Sequence, residues 1–126
     1  MFDTIHHIAI IGSDYEKSKH FYVDLLGFKV IRENYRKERN DYKIDLACGL
    51  KEIELFIIKN APARVNYPEA LGLRHLAFKV ENVDDTVKEL NGKMSFSFQY
   101  NRLSVLALFQ FLSHSILLLY HPHSQL

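Results

Sequence analysis

Two histidines stand in nearly the same short phrase, once in each half of the chain. His7 lies in "HHIAII" and His75 in "RHLAFKV", and an alanine follows each of them two residues later. On a β-strand that alanine shares a face with the histidine, and its small side chain leaves space beside the imidazole. Neutral imidazole is a common ligand of divalent metals. The pattern therefore predicts that both histidines line a cavity that holds a metal ion.

A third ligand is expected from Glu54, within the phrase "EIELFI". An acidic residue between Ile53 and Leu55 would bury a charge unless something pairs it, and a metal ion would do so. Two imidazoles alone seldom hold a divalent metal tightly, so a carboxylate completes a reasonable set. The alternative is that each histidine is an ordinary hydrogen-bonded residue of the core or surface. The duplicated context favours the metal site.

The remaining residues that can carry chemistry have plainer interpretations. His6 is expected to point to the face opposite His7 and to be structural, and His20 is expected to be solvent-exposed on a helix. Cys48, the one cysteine, lies in an apolar run and is interpreted as core packing. A single cysteine forms no intramolecular disulfide, and the N-terminus lacks a signal-peptide pattern. We therefore expect a cytoplasmic protein.

The elements that position these residues follow a repeated order. The first half predicts a strand over 4–11, a helix in "SDYEKSKHFYVDLLGF" capped by Ser13 or Asp14 and ended by Gly27, and strands in "FKVIRENY", "YKIDLACG" and "KEIELFII". After a loop, the second half predicts another strand, "LRHLAFKV", and a helix that ends before Gly92. Strand and helix thus recur at an offset of 75 minus 7, or 68 residues.

The last third of the chain differs in composition. All 15 acidic residues and all five glycines lie within the first 92 residues. The phrases "MSFSFQY", "LSVLALFQFL" and "SILLLY" have the pattern of strands, and residues 103–120 carry no charge. Interrupting polar residues favour buried strands over a membrane helix. The other interpretation is that this tail is foreign to the rest, through a shifted reading frame or a cloning artefact.

The overall composition excludes several classes of partner. The chain has 126 residues, a formal net charge of +1 and 48% hydrophobic residues, which is ordinary for one globular domain. No electrostatic attraction to nucleic acid or to a membrane surface is implied.

The phrases "IHHIAI", "FYVDLLGF", "EIELFI" and "GLRHLAFKV" together resemble the glyoxalase, or vicinal oxygen chelate (VOC), superfamily over residues 1 to about 93. The resemblance implies an α+β fold in which two βαβββ modules form a half-open, cup-shaped mixed sheet around a divalent metal. Residues 1–126 would then be one domain. Module 1 would span about 1–60, a linker loop 61–72 and module 2 about 73–126, with an atypical part at 94–126.

The same resemblance implies the metal ligands. By motif, His7 and Glu54 match the ligands of the first module, and His75 matches the histidine of the second. The family's fourth ligand is a second carboxylate, expected near residue 122, where this chain has "LLLYHPHSQL". Aligning "ILLLY" with "IELFI" puts Leu117 in its place, and His121 is the expected substitute, with His123 as the alternative. The metal would be zinc, nickel, manganese, iron or magnesium.

The function implied is that of a lactoylglutathione lyase-like enzyme acting on a small oxygen-bearing substrate. Glu54 or a bound water would move the proton, since the second carboxylate is missing. Arg64 is a candidate for pairing an anionic substrate, with a solvated loop charge as the alternative, and Phe56 is a candidate for lining the cleft.

Other outcomes stay open on the same scaffold. One is a non-catalytic binding or resistance protein with a metal-free cleft lined by aromatic side chains such as Phe56, Phe96 and Phe98. Another is an inactive chain with a damaged second module. In each case uncovered sheet edges and the uncharged tail predict a symmetric homodimer.

Overall fold

The computed structural model describes residues 1–65 and 67–93 in full and the backbone of 116–120. The elements, in chain order, are β1 (His7–Gly12), α1 (Tyr15–Lys19), a π-helical segment (His20–Leu25), β2 (Lys29–Arg36), β3 (Asp41–Cys48), β4 (Lys51–Ile57), β5 (His75–Lys79), α2 (Val83–Lys93) and β6 (Ile116–Tyr120). The chain divides into two compact units, Met1–Pro62 and Ala63–Leu126.

The first unit is a four-stranded mixed sheet in the order β1-β4-β3-β2. Strand β1 pairs parallel with β4, whereas β4 with β3 and β3 with β2 are antiparallel pairs. A two-residue turn at Gly49 and Leu50 joins β3 to β4, and Gly49 takes the left-handed conformation that such turns favour (φ 59°). The predicted order of strand, helix and three strands is thereby confirmed for this unit.

One face of this sheet is apolar and covered by helix. Alternate residues of the central strands are almost fully buried there: Ile44, Leu46, Ile53, Leu55 and Ile57. From the helical segment Ser18, Phe21, Tyr22 and Leu25 are buried too. The helix lies close to the strand at Gly12, where a Cβ atom would stand 2.5 Å from Ser18 Oγ. We call the opposite face, which carries His7, Glu54 and Lys43, the open face.

The helix has the predicted ends but a different interior. The Asp14 side chain caps it by accepting a hydrogen bond from Lys17 N at 2.9 Å, and Gly27 follows it with φ +75°. Beyond Lys19 the chain forms a π-helix, seen in the bond from Leu26 N to Phe21 O, five residues back. The prediction named Ser13 or Asp14 as the cap, and the structure selects Asp14.

In the second unit β5 pairs parallel with β6, as β1 pairs with β4 in the first. The prediction that the second helix ends before Gly92 is wrong, because α2 continues through Gly92 to Lys93. A glycine in the last turn of an exposed helix weakens it without ending it. Strand β6 lies within the predicted strand "SILLLY", while "MSFSFQY" and "LSVLALFQFL" fall outside the described residues. No helix in the described ranges is long and apolar enough to cross a membrane.

Candidate metal centre

His7 and Glu54 meet on the open face of the first sheet. The parallel register places His7 beside Glu52 and Ala9 beside Glu54. Glu54 therefore shares the face of His7 and lies two residues beyond the position directly beside it. His7 Nε2 is 3.7 Å from Glu54 Oε2, and the two side chains are 43% and 20% exposed. Ala9, which lies beside Glu54 in the register, is exposed. A nitrogen and a carboxylate oxygen therefore face each other within reach of solvent.

Lys43 occupies the other oxygen of the same carboxylate. In the β3–β4 register Asp45 lies beside Glu54 and Lys43 beside Phe56, so the lysine reaches Glu54 diagonally. Its Nζ donates a hydrogen bond to Glu54 Oε1 at 2.7 Å and lies 2.8 Å from Asp45 Oδ1. The charge of Glu54 is therefore paired by a lysine, whereas the sequence argument assumed that a metal was needed to pair it.

The buried carboxylate of Asp45 also pairs with this lysine. Its side chain is 1% exposed, and its second oxygen, Oδ2, accepts a hydrogen bond from Arg32 Nε at 2.8 Å. Burial acts to raise the pKa of Asp45, but the bonds from Lys43 and Arg32 outweigh it, and the pKa falls below its ordinary value. The same contacts with Asp45 and Glu54 raise the pKa of Lys43. Both groups are thus charged at neutral pH.

Phe56 lies on the open face, two residues beyond Glu54 on β4. Its ring is half-buried, with the Arg36 guanidinium 4.8 Å from the ring centroid and Lys43 Nζ 5.8 Å from it. The Arg36 side chain is itself held by two hydrogen bonds of 2.6 Å to Asp41. The aromatic ring is therefore bordered by two cations.

The other histidines of the first unit are now placed. His20 is exposed, as predicted, and it pairs with Asp24 at 2.8 Å. The prediction that His6 points away from His7 is wrong. His6 precedes the strand, so the alternation of faces does not apply to it, and its Nδ1 lies 3.0 Å from His7 Nδ1. The two imidazole rings meet edge to face.

The predicted site residues of the second unit lie within that unit. His75 is exposed at the first position of β5, and Arg64 is half-buried in the preceding loop. Ala77 pairs with Leu118 in the β5–β6 register, as Ala9 pairs with Glu54 in the first unit. The position equivalent to Glu54 in this register is therefore Leu118, and the predicted equivalence with Leu117 is off by one residue. The spacing from the alanine to its partner is 41 residues here and 45 in the first unit. His121, His123, Phe96 and Phe98 lie outside the described residues.

The donors of the first unit fit a divalent metal as part of a larger ligand set. Metal–ligand bonds of about 2.0 to 2.2 Å put two donors of one ion about 3 to 4 Å apart, and the His7–Glu54 separation of 3.7 Å agrees. Imidazole with carboxylate suits zinc, manganese, iron or nickel. Among the residues that the structure describes, no three histidine, cysteine or acidic side chains form such a group. Further ligands would have to join the pair.

Sequence reasoning missed three members of this cluster: Arg32, Lys43 and Asp45. A signal for two of them was present, because Lys43 and Asp45 alternate with apolar residues in "YKIDLACG". Alternation puts both on one face of a strand whose hairpin partner carries Glu54. For Arg32 the bulge at Ile31 breaks the alternation, so its face does not follow from spacing alone.

Comparison with known proteins agrees with this fold. The uncharacterized protein YwkD of Bacillus subtilis is 59% identical over 91 residues, which are 71% of this chain and 71% of that protein. The uncharacterized protein YaeR of Escherichia coli is 52% identical over 87 residues, 68% of this chain and 67% of that one. A glyoxalase family protein from Enterococcus faecalis of known structure has a TM-score of 0.69 and 50% identity, covering 76% of this chain and 83% of its own.

The sequence profile of one family matches residues 4–98, which include all three of His7, Glu54 and His75. Strand order, parallel pairing of the first and last strands and the open face with its histidine and glutamate agree with that match. The α+β fold predicted from the sequence is confirmed by it. The chain belongs to the glyoxalase/bleomycin resistance protein/dioxygenase superfamily.

Proposed function

We propose that this protein is a metal-dependent enzyme of its superfamily, similar to lactoylglutathione lyase, that isomerises or cleaves a small oxygen-bearing substrate. His7, Glu54 and His75 would hold one divalent metal, with His121 as the fourth ligand. The observation that supports the proposal most directly is the approach of His7 Nε2 to Glu54 Oε2 at 3.7 Å on an open, solvent-reached face. Both residues are those that the family resemblance names.

Each side chain of the site has a proposed part. A bound metal would supply a Lewis acid that polarises a substrate oxygen. Glu54 Oε2 is the proposed proton acceptor, because its other oxygen already accepts a hydrogen bond from Lys43. The aromatic ring of Phe56 offers an apolar wall beside these groups. Arg64 is proposed to pair an anionic group of the substrate.

Metal content tests the proposal. The purified protein is refolded with zinc, manganese or nickel, dialysed, and analysed for bound metal. We expect about one ion per chain in the wild type and loss of binding in His7→Ala, Glu54→Gln and His75→Ala. The matched control is His20→Ala, because His20 is an exposed histidine paired with Asp24 on the helix. A wild type that takes up no metal under these conditions contradicts the proposal.

A second candidate function follows from Lys43. Since the charge of Glu54 is paired by Lys43, a metal is not needed to balance that charge. The chain would then be a binding or resistance protein that holds a small molecule between Phe56 and its neighbours. This candidate predicts ligand binding that is unchanged by a chelator, measured by calorimetry with and without EDTA.

We further propose that the protein forms a homodimer. Strands β1 and β2 end the four-stranded sheet, and exposed apolar residues lie on both: Ile11 on β1 and Val30 and Ile31 on β2. Unpaired edges and exposed apolar side chains favour association between copies of a chain. Light scattering at micromolar concentration measures it, and a mass of one chain would contradict it.

A further inference from the structure

Lys43 is held by two carboxylates of different kinds. Asp45, which is 1% exposed, fixes the ammonium from the interior side at 2.8 Å and is itself tied to Arg32. Glu54, which is 20% exposed, accepts a hydrogen bond from the same Nζ at 2.7 Å. A flexible lysine side chain bound at one end by a buried acid has few positions left for its ammonium. Its hydrogen bond is therefore directed at one atom, Glu54 Oε1.

We propose that Lys43 is a positioning residue that fixes the Glu54 carboxylate through Oε1 and leaves Oε2 as its one available oxygen. The inference deepens the proposed function and rests on it for the metal, although the positioning itself needs none. Glu54 would then be a one-oxygen ligand, because a two-oxygen mode requires Oε1 to leave the ammonium. Oε2 is the atom that faces His7 at 3.7 Å.

A consequence for the reaction follows. If the proposed metal is bound, Glu54 Oε2 would be the oxygen available to hold it or to accept a proton, because Lys43 occupies Oε1. In either role Lys43 would keep the carboxylate in one orientation. The family resemblance assigns no role to this residue.

The positioning is tested first in the metal-free protein by NMR. Three-bond couplings report whether the Glu54 side chain has one conformation or an average of several. We expect one conformation in the wild type and an average in Lys43→Met. The control is Lys37→Met, a change of the same kind at an exposed lysine in the β2–β3 turn, which should leave Glu54 unchanged. A single unchanged conformation of Glu54 in Lys43→Met overturns the proposal.

A second measurement covers the case in which Lys43→Met does not fold. In the wild type the Lys43 ammonium protons should exchange slowly with water, because Glu54 accepts a hydrogen bond from the ammonium and the buried Asp45 pairs with its charge. Glu54→Gln should accelerate that exchange while the Lys37 ammonium stays unchanged. Equal exchange at Lys43 in the wild type and in Glu54→Gln overturns the proposal.

Cobalt(II) then reports on the ligand mode. In Lys43→Met both oxygens of Glu54 are free to bind, so a higher coordination number should weaken the visible absorption of the cobalt protein relative to the wild type. Identical spectra would overturn the one-oxygen mode. If the wild type takes up no cobalt while Glu54 loses its single conformation in Lys43→Met, the proposed metal enzyme fails and the positioning by Lys43 stands.

Discussion

The substitution Asp45→Asn tests the charge cluster of the open face by a change of one atom. Asparagine keeps the size of the side chain and removes the charge that holds Lys43 at 2.8 Å. A charge-assisted contact of this kind contributes about 1.5 to 3 kcal/mol, and release of the buried carboxylate from its desolvation offsets part of the loss. The exposed Arg32 adds little because solvent screens it. We expect Asp45→Asn to lower the free energy of unfolding by about 2 kcal/mol at pH 7.

The difference should also depend on pH in a fixed direction. The pKa of Asp45 is lower in the folded protein than in the unfolded chain. Its contribution to stability is therefore fully present above the unfolded pKa, about 3.9, and is lost as the pH falls through the lower folded value. The stability gap between wild type and Asp45→Asn should shrink from pH 7 toward pH 2. Other acids titrate in both proteins and cancel in the comparison.

Urea denaturation at several pH values measures this gap. With a slope of about 2 kcal/mol per molar urea, the midpoint at pH 7 should fall by about 1 M. Asp3→Asn is the control, because Asp3 lies exposed ahead of the first strand. A gap that stays constant between pH 7 and pH 2, or an Asp45→Asn variant as stable as the wild type, would refute the account of this cluster.

Three further outcomes are expected. Gly12→Ala should destabilise the fold by about 1 to 3 kcal/mol, since its Cβ would meet Ser18 Oγ; Ser18→Ala in the same chain should recover part of this loss in thermal melts, and additive losses would contradict the contact. Leu55→Ala, on the face covered by the helix, should lower the free energy of unfolding by about 2 to 5 kcal/mol. It should leave the metal content per folded chain unchanged, because the candidate site lies on the open face, and a parallel loss of metal would contradict this. Burial raises the pKa of Cys48, so mass spectrometry at pH 7 should show slower alkylation than for a free cysteine; equal rates would contradict it.

Much of the first unit follows from its sequence. The alternation in "KEIELFII" fixes which residues of β4 share the face of Glu54. The turn at Gly49 and Leu50 then fixes the hairpin register, in which paired positions sum to 99, so that Asp45 lies beside Glu54. The contact of Lys43 with Glu54 was therefore within reach of sequence reasoning. It was missed because β4 was considered without its partner strand.

Other features depend on packing that spacing does not determine. The direction of the His6 side chain depends on where β1 begins. Side chains alternate between the two faces only within the strand, and the position of a strand end is uncertain by a few residues in a sequence-based prediction. In the second unit the alignment of short phrases gave Leu117, whereas the β5–β6 register gives Leu118; the first unit's spacing of 45 residues, counted from Ala77, would give residue 122. Connections between paired strands vary in length without changing the sheet, so an alignment of short phrases cannot fix the register.

The π-helical segment His20–Leu25 allows the helix of the first unit to change in length by one residue. A turn closed five residues back holds one residue more than an α-helical turn. Deleting a single residue from this stretch would let the turn tighten into ordinary α-helix, with the Asp14 cap and the Gly27 stop retained at the ends. In most helices the loss of one residue would rotate the apolar face away from the sheet. Here the π-helical turn can lose one residue while the helix keeps its contacts with the sheet, so that the strand carrying His7 keeps its position.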